Sequence, residues 1–145
     1  MSDLYLADTS IWVARRRAPD LAERLVDRYV RGSIVTCAII QLEALSGAPD
    51  GAALAADQEI VWRPLTQLPL SEAVCARALT VQAELACLGG RASRPLDFLV
   101  AACAELGGAT LWHAEPHLAE ICAVTGQREE CDAEAVMPRH LGTVA

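Results

Sequence analysis

Three acidic residues interrupt apolar stretches of this 145-residue chain: Asp8 follows a short apolar run, and Glu43 and Asp97 lie within longer ones. A buried carboxylate is costly unless it is paired, hydrogen-bonded or bound to a metal. Carboxylate oxygens are the ligands that hard divalent cations such as Mg²⁺ and Mn²⁺ prefer, so one shared metal site would satisfy all three acids. A metal held in this way polarises a phosphate and activates water, which is the chemistry of phosphodiester cleavage.

The elements that would bring these acids together are short strands alternating with helices. This alternation predicts an α/β domain with a short, mainly parallel central sheet flanked by helices. Functional sites in such sheets collect at the carboxyl ends of the strands, where Asp8 follows the first predicted strand and Glu115 follows the last. The predicted strands are 4–7, 34–36, 61–65 and 109–112, and the predicted helices are 11–17, 20–31, 51–60, 71–88, 96–106 and 116–125.

Each acid also has a structural interpretation, which the spacing alone leaves open. Asp8 is placed to cap the following helix, Asp97 to interact with a helix dipole, and Glu43 to pair with an arginine. An unrelated α/β domain with structural acids would have the same pattern. A zinc site at the H-x-E-x-H segment 113–117 is a further alternative, although this is not the helical H-E-x-x-H spacing.

The composition restricts the class of protein more than its activity. The length predicts a single domain over 1–145, and the net charge of −7 is unusual for a nucleic-acid binder. The charge is unevenly distributed: residues 1–31 carry six arginines and five acids, whereas 97–145 carry two arginines and eight acids. The six cysteines form no C-x-x-C pair, and we see neither a signal peptide nor a membrane-length apolar run. These features predict a cytoplasmic protein in a reducing compartment.

Four segments, in order along the chain, resemble the motifs of PIN domains. Segment 5–12 resembles the opening "hhhDTS" strand, in which h is an apolar residue, and 41–48 resembles the "hxExhxGA" helix. Segment 96–104 resembles the "hxDxLIAAxA" helix, and 111–121 aligns with the "hhHxDxDFxxI" segment. Each motif alone is weak, but four in the right order and spacing are specific.

This resemblance implies a PIN-like three-layer fold and a VapC-type toxin of a bacterial VapBC toxin–antitoxin system. The implied activity is a Mg²⁺- or Mn²⁺-dependent endoribonuclease, and the implied partners are an RNA substrate, a cognate VapB-type antitoxin and a second copy of the chain. The metal and catalytic residues implied by the motifs are Asp8, Glu43, Asp97 and Glu115, with Ser10 and Thr9 in support.

The fourth motif departs from the family pattern. Glu115 is one methylene longer than the usual aspartate, His117 replaces a second acid, and Leu118 replaces the usual phenylalanine. An imidazole suits Mn²⁺ better than Mg²⁺, so His117 has a supporting role in this interpretation. The departures leave a second hypothesis, a catalytically weak PIN domain that acts mainly by binding RNA or an antitoxin.

Basic and apolar surfaces supply the candidate interfaces. Arg91 and Arg94, just before Asp97, and Arg15 in the triple-arginine run are candidates for binding the RNA backbone, although each is equally compatible with a solvated surface. The helices around 22–29 and 73–88 are expected to expose apolar stripes. Such stripes suit a dimer contact or an antitoxin helix.

Overall fold

A computed structural model describes residues 3–132 as five parallel strands and seven α-helices. The strands are β1 (Tyr5–Ala7), β2 (Ile34–Thr36), β3 (Thr66–Gln67), β4 (Thr110–His113) and β5 (Glu129–Cys131), in the sheet order β3-β2-β1-β4-β5. Every neighbouring pair is parallel, which confirms the predicted α/β class. The predicted domain end at 145 lies outside the described residues.

The helices flank this sheet and supply most of the core. They are α1 (Thr9–Ala14), α2 (Pro19–Val30), α3 (Ala38–Leu45), α4 (Gly51–Asp57), α5 (Glu72–Cys87), α6 (Pro95–Leu106) and α7 (Pro116–Thr125). Proline begins α2, α6 and α7, where its missing N–H and its fixed φ angle suit the first helical turn. All six cysteines are free thiols.

The strand order creates a crevice beside the central strand. The chain moves from β1 to β2 and β3 on one side, then returns to β4 and β5 on the other. Parallel sheets of this kind bind ligands at the carboxyl ends of the strands next to this reversal. Asp8 directly follows β1, and Glu115 lies two residues beyond β4, so both occupy this position.

Two predictions about the strands were wrong. Segment 61–65 is not a strand, because its first residues complete a π-helical turn, Gln58–Trp62, and Trp62 packs against Trp12 with ring centroids 4.7 Å apart. The third strand is Thr66–Gln67 instead. Moreover, β4 is not the last strand, since the acidic β5 pairs with it. Among residues 3–132, no helix is both long and apolar enough to cross a membrane.

Candidate active site

All four predicted acids line one cleft at the carboxyl ends of the strands. The cleft has a volume of about 360 Å³. Different elements supply the acids: the ends of β1 and β4, the middle of α3 and the first turn of α6. The lining residues are Asp8, Thr9, Ser10, Val13, Ala14, Arg17, Glu43, Arg94, Asp97, Ala114 and Glu115.

The Asp8 carboxylate is fixed through one of its two oxygens. Its Oδ2 atom accepts hydrogen bonds from the Ser10 backbone N–H at 3.0 Å and from the Ser10 hydroxyl at 2.6 Å. The same hydroxyl accepts a hydrogen bond from the Ala114 N–H at 3.0 Å and so joins the ends of β1 and β4. Asp8 therefore caps α1, as one alternative expected, while its Oδ1 atom has no hydrogen-bond partner among residues 3–132.

The Asp97 carboxylate is held in a similar way by His117. The two side chains meet at 2.9 Å between His117 Nδ1 and Asp97 Oδ2. The other ring nitrogen of His117, Nε2, lies 2.6 Å from the Arg91 carbonyl oxygen. Because a carbonyl only accepts, His117 Nε2 carries a proton and donates it. His117 thus connects Asp97 to the loop before α6, and Asp97 Oδ1 has no hydrogen-bond partner in the described chain.

Glu43 and Glu115 complete the acidic cleft with fewer contacts. Glu43 is half-buried on α3 and forms no salt bridge with any described residue. Glu115 caps α7 through a 3.5 Å contact from the His117 N–H, and Arg94 NH1 lies 3.2 Å from its Oε2 atom. The expected pairing of Glu43 with an arginine is absent from residues 3–132.

Burial and the charges of neighbouring acids make ionisation of the cleft carboxyl groups less favourable. Burial raises the pKa of Glu43 above its ordinary value, and the charges of Asp8 and Asp97 raise it further. Burial also raises the pKa of Asp97, and this effect outweighs the opposing influence of His117 and Arg94. The fixed charge of the cleft is therefore incompletely neutralised by the protein itself, which favours a cation.

The chemistry of these donors fits a hard divalent cation. The set consists of carboxylates, with free Oδ1 atoms on Asp8 and Asp97. Among residues 3–132, no three of the four acids bring ligand oxygens within 4.8 Å of one another. An open arrangement of this kind leaves room for the waters that Mg²⁺ usually retains.

Comparison with known proteins identifies the family. The family model described as the PIN domain matches residues 5–124. The chain belongs to the PIN-domain family. Ribonuclease VapC18 of Mycobacterium tuberculosis is 32% identical over 133 residues, which cover 88% of this chain and 93% of the relative. Ribonuclease VapC2 of the same species is 34% identical over 130 residues, covering 87% and 90% of the two chains.

Solved structures agree with the PIN fold. VapBC2 from Rickettsia felis, bound to a promoter DNA fragment, matches with a TM-score of 0.69 at 18% identity, covering 88% of this chain and 98% of the other. VapBC-1 from nontypeable Haemophilus influenzae matches with a TM-score of 0.69 at 19% identity, covering 88% and 97%. These comparisons confirm the predicted three-layer PIN fold and the resemblance to VapC-type toxins.

The arginines that the sequence analysis named as RNA-binding candidates do not all line this cleft. Arg94 lines it, but the Arg91 side chain does not, and Arg15 lies over the Trp12 ring at 5.2 Å, beside a neighbouring pocket. Arg17 lines the cleft instead, and sequence reasoning gave it no preference over Arg15. No sequence signal distinguished the two arginines, because α1 ends at Ala14 and both follow in a turn.

The first histidine of the H-x-E-x-H segment, His113, belongs to a different cluster from His117. His113 is fully buried, its Nδ1 accepts a hydrogen bond from the Glu115 N–H at 3.2 Å, and its Nε2 lies 2.7 Å from Glu129 Oε2. Nε2 therefore carries the proton and cannot ligate a metal in this state. Cys122 is close to both partners, but burial raises the pKa of its thiol to about 12. His113 and His117 thus contact different carboxylates, which argues against a shared zinc ion.

Proposed function

We propose that this PIN domain is a metal-dependent endoribonuclease and the toxin of a type II toxin–antitoxin pair. The observation that carries the proposal is the convergence of Asp8, Glu43, Asp97 and Glu115 on one cleft at the switch point of the sheet. The ribonuclease names of its curated relatives, at 32% and 34% identity over most of the chain, support the same activity.

Asp8, Glu43, Asp97 and Glu115 are the residues that would hold Mg²⁺ or Mn²⁺. When bound, the metal supplies Lewis-acid stabilisation of the charge that develops on the phosphate and lowers the pKa of a water. The metal ligands of the two aspartates would be their Oδ1 atoms, since Oδ2 of each is already occupied by protein contacts. Neutralisation by the cation also offsets the repulsion that raises the pKa values of Glu43 and Asp97.

The remaining residues of the cleft position these ligands. Ser10 fixes the Asp8 carboxylate, Thr9 begins α1 directly beside it, and His117 fixes Asp97. In this mechanism Asp8 or Asp97 orients the attacking water or accepts its proton, since both carboxylates face the cleft. Supporting hydrogen bonds of this kind commonly change metal affinity or activity by roughly 10- to 100-fold.

RNA is the proposed substrate, which places the reaction in the cytoplasm. Arg94 and Arg17 line the cleft and are the side chains best placed to contact phosphates near the acids. Arg91 and Arg15 lie outside the cleft and would contact the RNA backbone only farther from the cleavage point. Arginine suits this task because its guanidinium is always charged and forms forked contacts with phosphate.

The proposed protein partners are a VapB-type antitoxin and a second copy of the chain. Three of the solved neighbours are described as VapBC, and two of these as bound to DNA. On the proposed toxin, α2 exposes Val26 and Val30, at 61% and 79%, beside an apolar groove. The helix α5 exposes Leu79, at 68%, and the residue that follows the helix, Leu88, is 75% exposed. Exposed apolar side chains of this size are typical of interaction surfaces.

A catalytically weak PIN domain is the second candidate, because Glu115 and His117 depart from the family pattern. The double change Glu115→Asp with His117→Asp should raise cleavage if the departures have weakened the site. The geometry favours the opposite result: His117→Asp removes the contact with the Arg91 carbonyl and adds a charge beside Asp97. We therefore expect cleavage to fall, and an increase would favour the second candidate.

The main experiment is cleavage of a total-RNA pool by purified, antitoxin-free protein. Discrete products should form with Mg²⁺ or Mn²⁺ and disappear with EDTA and in the Asp8→Ala variant. Gln41→Ala, on the same helix as Glu43 but not lining the cleft, is a matched control that should retain cleavage. Products that survive both EDTA and Asp8→Ala would contradict a metal-dependent activity of this site, and folded protein without cleavage would contradict the nuclease.

A further inference from the structure

We propose that Arg94 is a resident counter-cation of the metal-free cleft and that a divalent metal, which binds the same carboxylates through their free oxygens, displaces it by neutralising their charge. Its Nε atom lies 3.0 Å from Asp97 Oδ2, and its NH1 atom lies 3.2 Å from Glu115 Oε2. One guanidinium thus bridges two of the four acids to which we assign the metal. This inference rests on the proposed function, because it concerns the same four ligands.

The requirements of helix α6 do not explain the position of Arg94. Arg94 is the N-cap residue, and its side chain makes no capping hydrogen bond. The N-terminal end of a helix carries a partial positive charge, so a cation is disfavoured there. The two carboxylates supply the compensating interaction, which indicates that the side chain belongs to the cleft rather than to the helix end.

The bridge is held more loosely than the half-buried ion pair between Arg77 and Glu105. Arg77 forms two aligned hydrogen bonds with Glu105, at 2.9 and 3.0 Å, and its side chain is 29% exposed. Arg94 makes ion pairs with two different acids, neither of which has hydrogen-bond alignment, and its side chain is 53% exposed. Contacts of this kind are weak enough for a doubly charged cation to replace.

Displacement of the side chain does not require the loop to rearrange. The Arg94 carbonyl accepts a hydrogen bond from the Asp97 N–H at 3.1 Å, and His117 holds the Arg91 carbonyl at 2.6 Å. The backbone is therefore anchored at both positions while the guanidinium is free to turn outward. A displaced Arg94 remains at the cleft, where it can contact an anionic substrate.

The test is a titration of metal-free, full-length protein with Mn²⁺, followed by the loss of the free-ion EPR signal and without RNA. Arg94→Gln should bind Mn²⁺ roughly three- to tenfold more tightly than the wild type, since two weak ion pairs no longer compete. Arg91→Gln is the matched control: it removes the same charge from the same loop but not from the cleft. It should change the affinity less than twofold.

The outcomes separate this inference from the proposed function. If wild type and Arg94→Gln bind Mn²⁺ equally, or if Arg91→Gln has the same effect as Arg94→Gln, the counter-cation proposal is wrong while the metal centre stands. If no variant binds Mn²⁺, the metal centre itself is wrong and the proposal fails with it.

As an independent readout, the Nε–Hε NMR resonance of Arg94, assigned by its loss in Arg94→Gln, should shift when Mg²⁺ is added. An unchanged resonance at saturating Mg²⁺ would also overturn displacement.

Discussion

Two groups of charged side chains in this protein differ in how completely they are paired. At the β5 edge, defined as Arg24, Arg28, Glu130 and Asp132, two arginines meet two acids. Arg24 donates two hydrogen bonds to Asp132, and Arg28 donates two to Glu130. In the cleft, the guanidinium of Arg94 pairs with only two of the four acids, Asp97 and Glu115, and Arg17 also lines the wall.

The paired charges at the β5 edge stabilise the folded state, whereas the incompletely paired charges in the cleft destabilise it. At the β5 edge, hydrogen bonds from Arg24 and Trp112 lower the pKa of Asp132 below its ordinary value despite its burial. In the cleft, burial and neighbouring acids raise the pKa of Glu43. A carboxylate with a lowered pKa stabilises the folded state at neutral pH, and one with a raised pKa destabilises it. The cleft therefore lowers the stability of the folded state, and the proposed cation would remove this cost.

The largest expected effect comes from Glu43→Gln, which should reduce RNA cleavage without lowering the stability of the folded protein. We expect cleavage to fall by at least roughly 100-fold, because a lost ligand matters more than a lost supporting contact. The metal-free variant should be at least as stable as the wild type, since the change removes a charge that forms no salt bridge with residues 3–132. Mg²⁺ should then raise the melting temperature of the wild type but not of the variant.

Cleavage assays and thermal unfolding with and without EDTA measure both consequences of Glu43→Gln. Glu72→Gln, an exposed acid in the first turn of α5, is the control for removing one negative charge. A variant that loses activity together with several kilocalories of stability would identify Glu43 as a structural residue.

Arg28→Ala should have the largest effect on stability. Its guanidinium lies 3.9 Å from the Tyr5 ring centroid and 4.3 Å from that of Trp112, and it is hydrogen-bonded to Glu130. We expect a loss of about 2 kcal/mol in the free energy of unfolding, with cleavage retained under folding conditions.

Arg31→Ala is the matched control for Arg28→Ala on the same segment. Arg31 pairs with Asp27 at 3.1 Å, but the two side chains are 72% and 58% exposed. Exposed pairs four residues apart are worth about 0.3–0.5 kcal/mol, so the variant should be almost as stable as the wild type. Urea unfolding compares the two variants, and equal losses would show that burial at the β5 edge does not matter.

The contrast between the cleft and the β5 edge also explains which features could be predicted from the sequence. Asp8, Glu43 and Asp97 are conspicuous because each acid interrupts an apolar run, and the strand order then brings them to one edge. The β5 strand has no such signal: Glu129 and Glu130 show no apolar alternation, and the strand is held by Arg24 and Arg28 from more than 100 residues earlier. Pairing over such a distance cannot be deduced from local pattern.

Side-chain direction was also beyond the sequence. Arg15 and Arg17 are two residues apart, yet only Arg17 lines the cleft, because α1 ends at Ala14 and a turn follows. The role of His117 was similarly hidden. Its position suggested a substituted metal ligand, whereas the structure shows that both ring nitrogens already have protein partners.

The smallest effect we predict is that of Asp132→Asn, and it depends on pH. Asparagine retains an acceptor for the Trp112 indole N–H, which contacts Asp132 Oδ2 at 2.6 Å, but loses the charge that pairs with Arg24. We expect a loss of about 1 kcal/mol at neutral pH.

The pKa of Asp132 is lower in the folded protein than its ordinary value of 3.8, so its stabilising effect is complete above that value and is lost as the pH falls through the folded-state pKa. The stability of wild type and Asp132→Asn should therefore converge on acidification, as measured by urea unfolding at a series of pH values. Glu120→Gln, an exposed acid outside any ion pair with described residues, should follow the wild type throughout. A constant difference at every pH would mean that Asp132 acts through its shape and not through its charge, and the β5 edge would then owe its stability to packing alone.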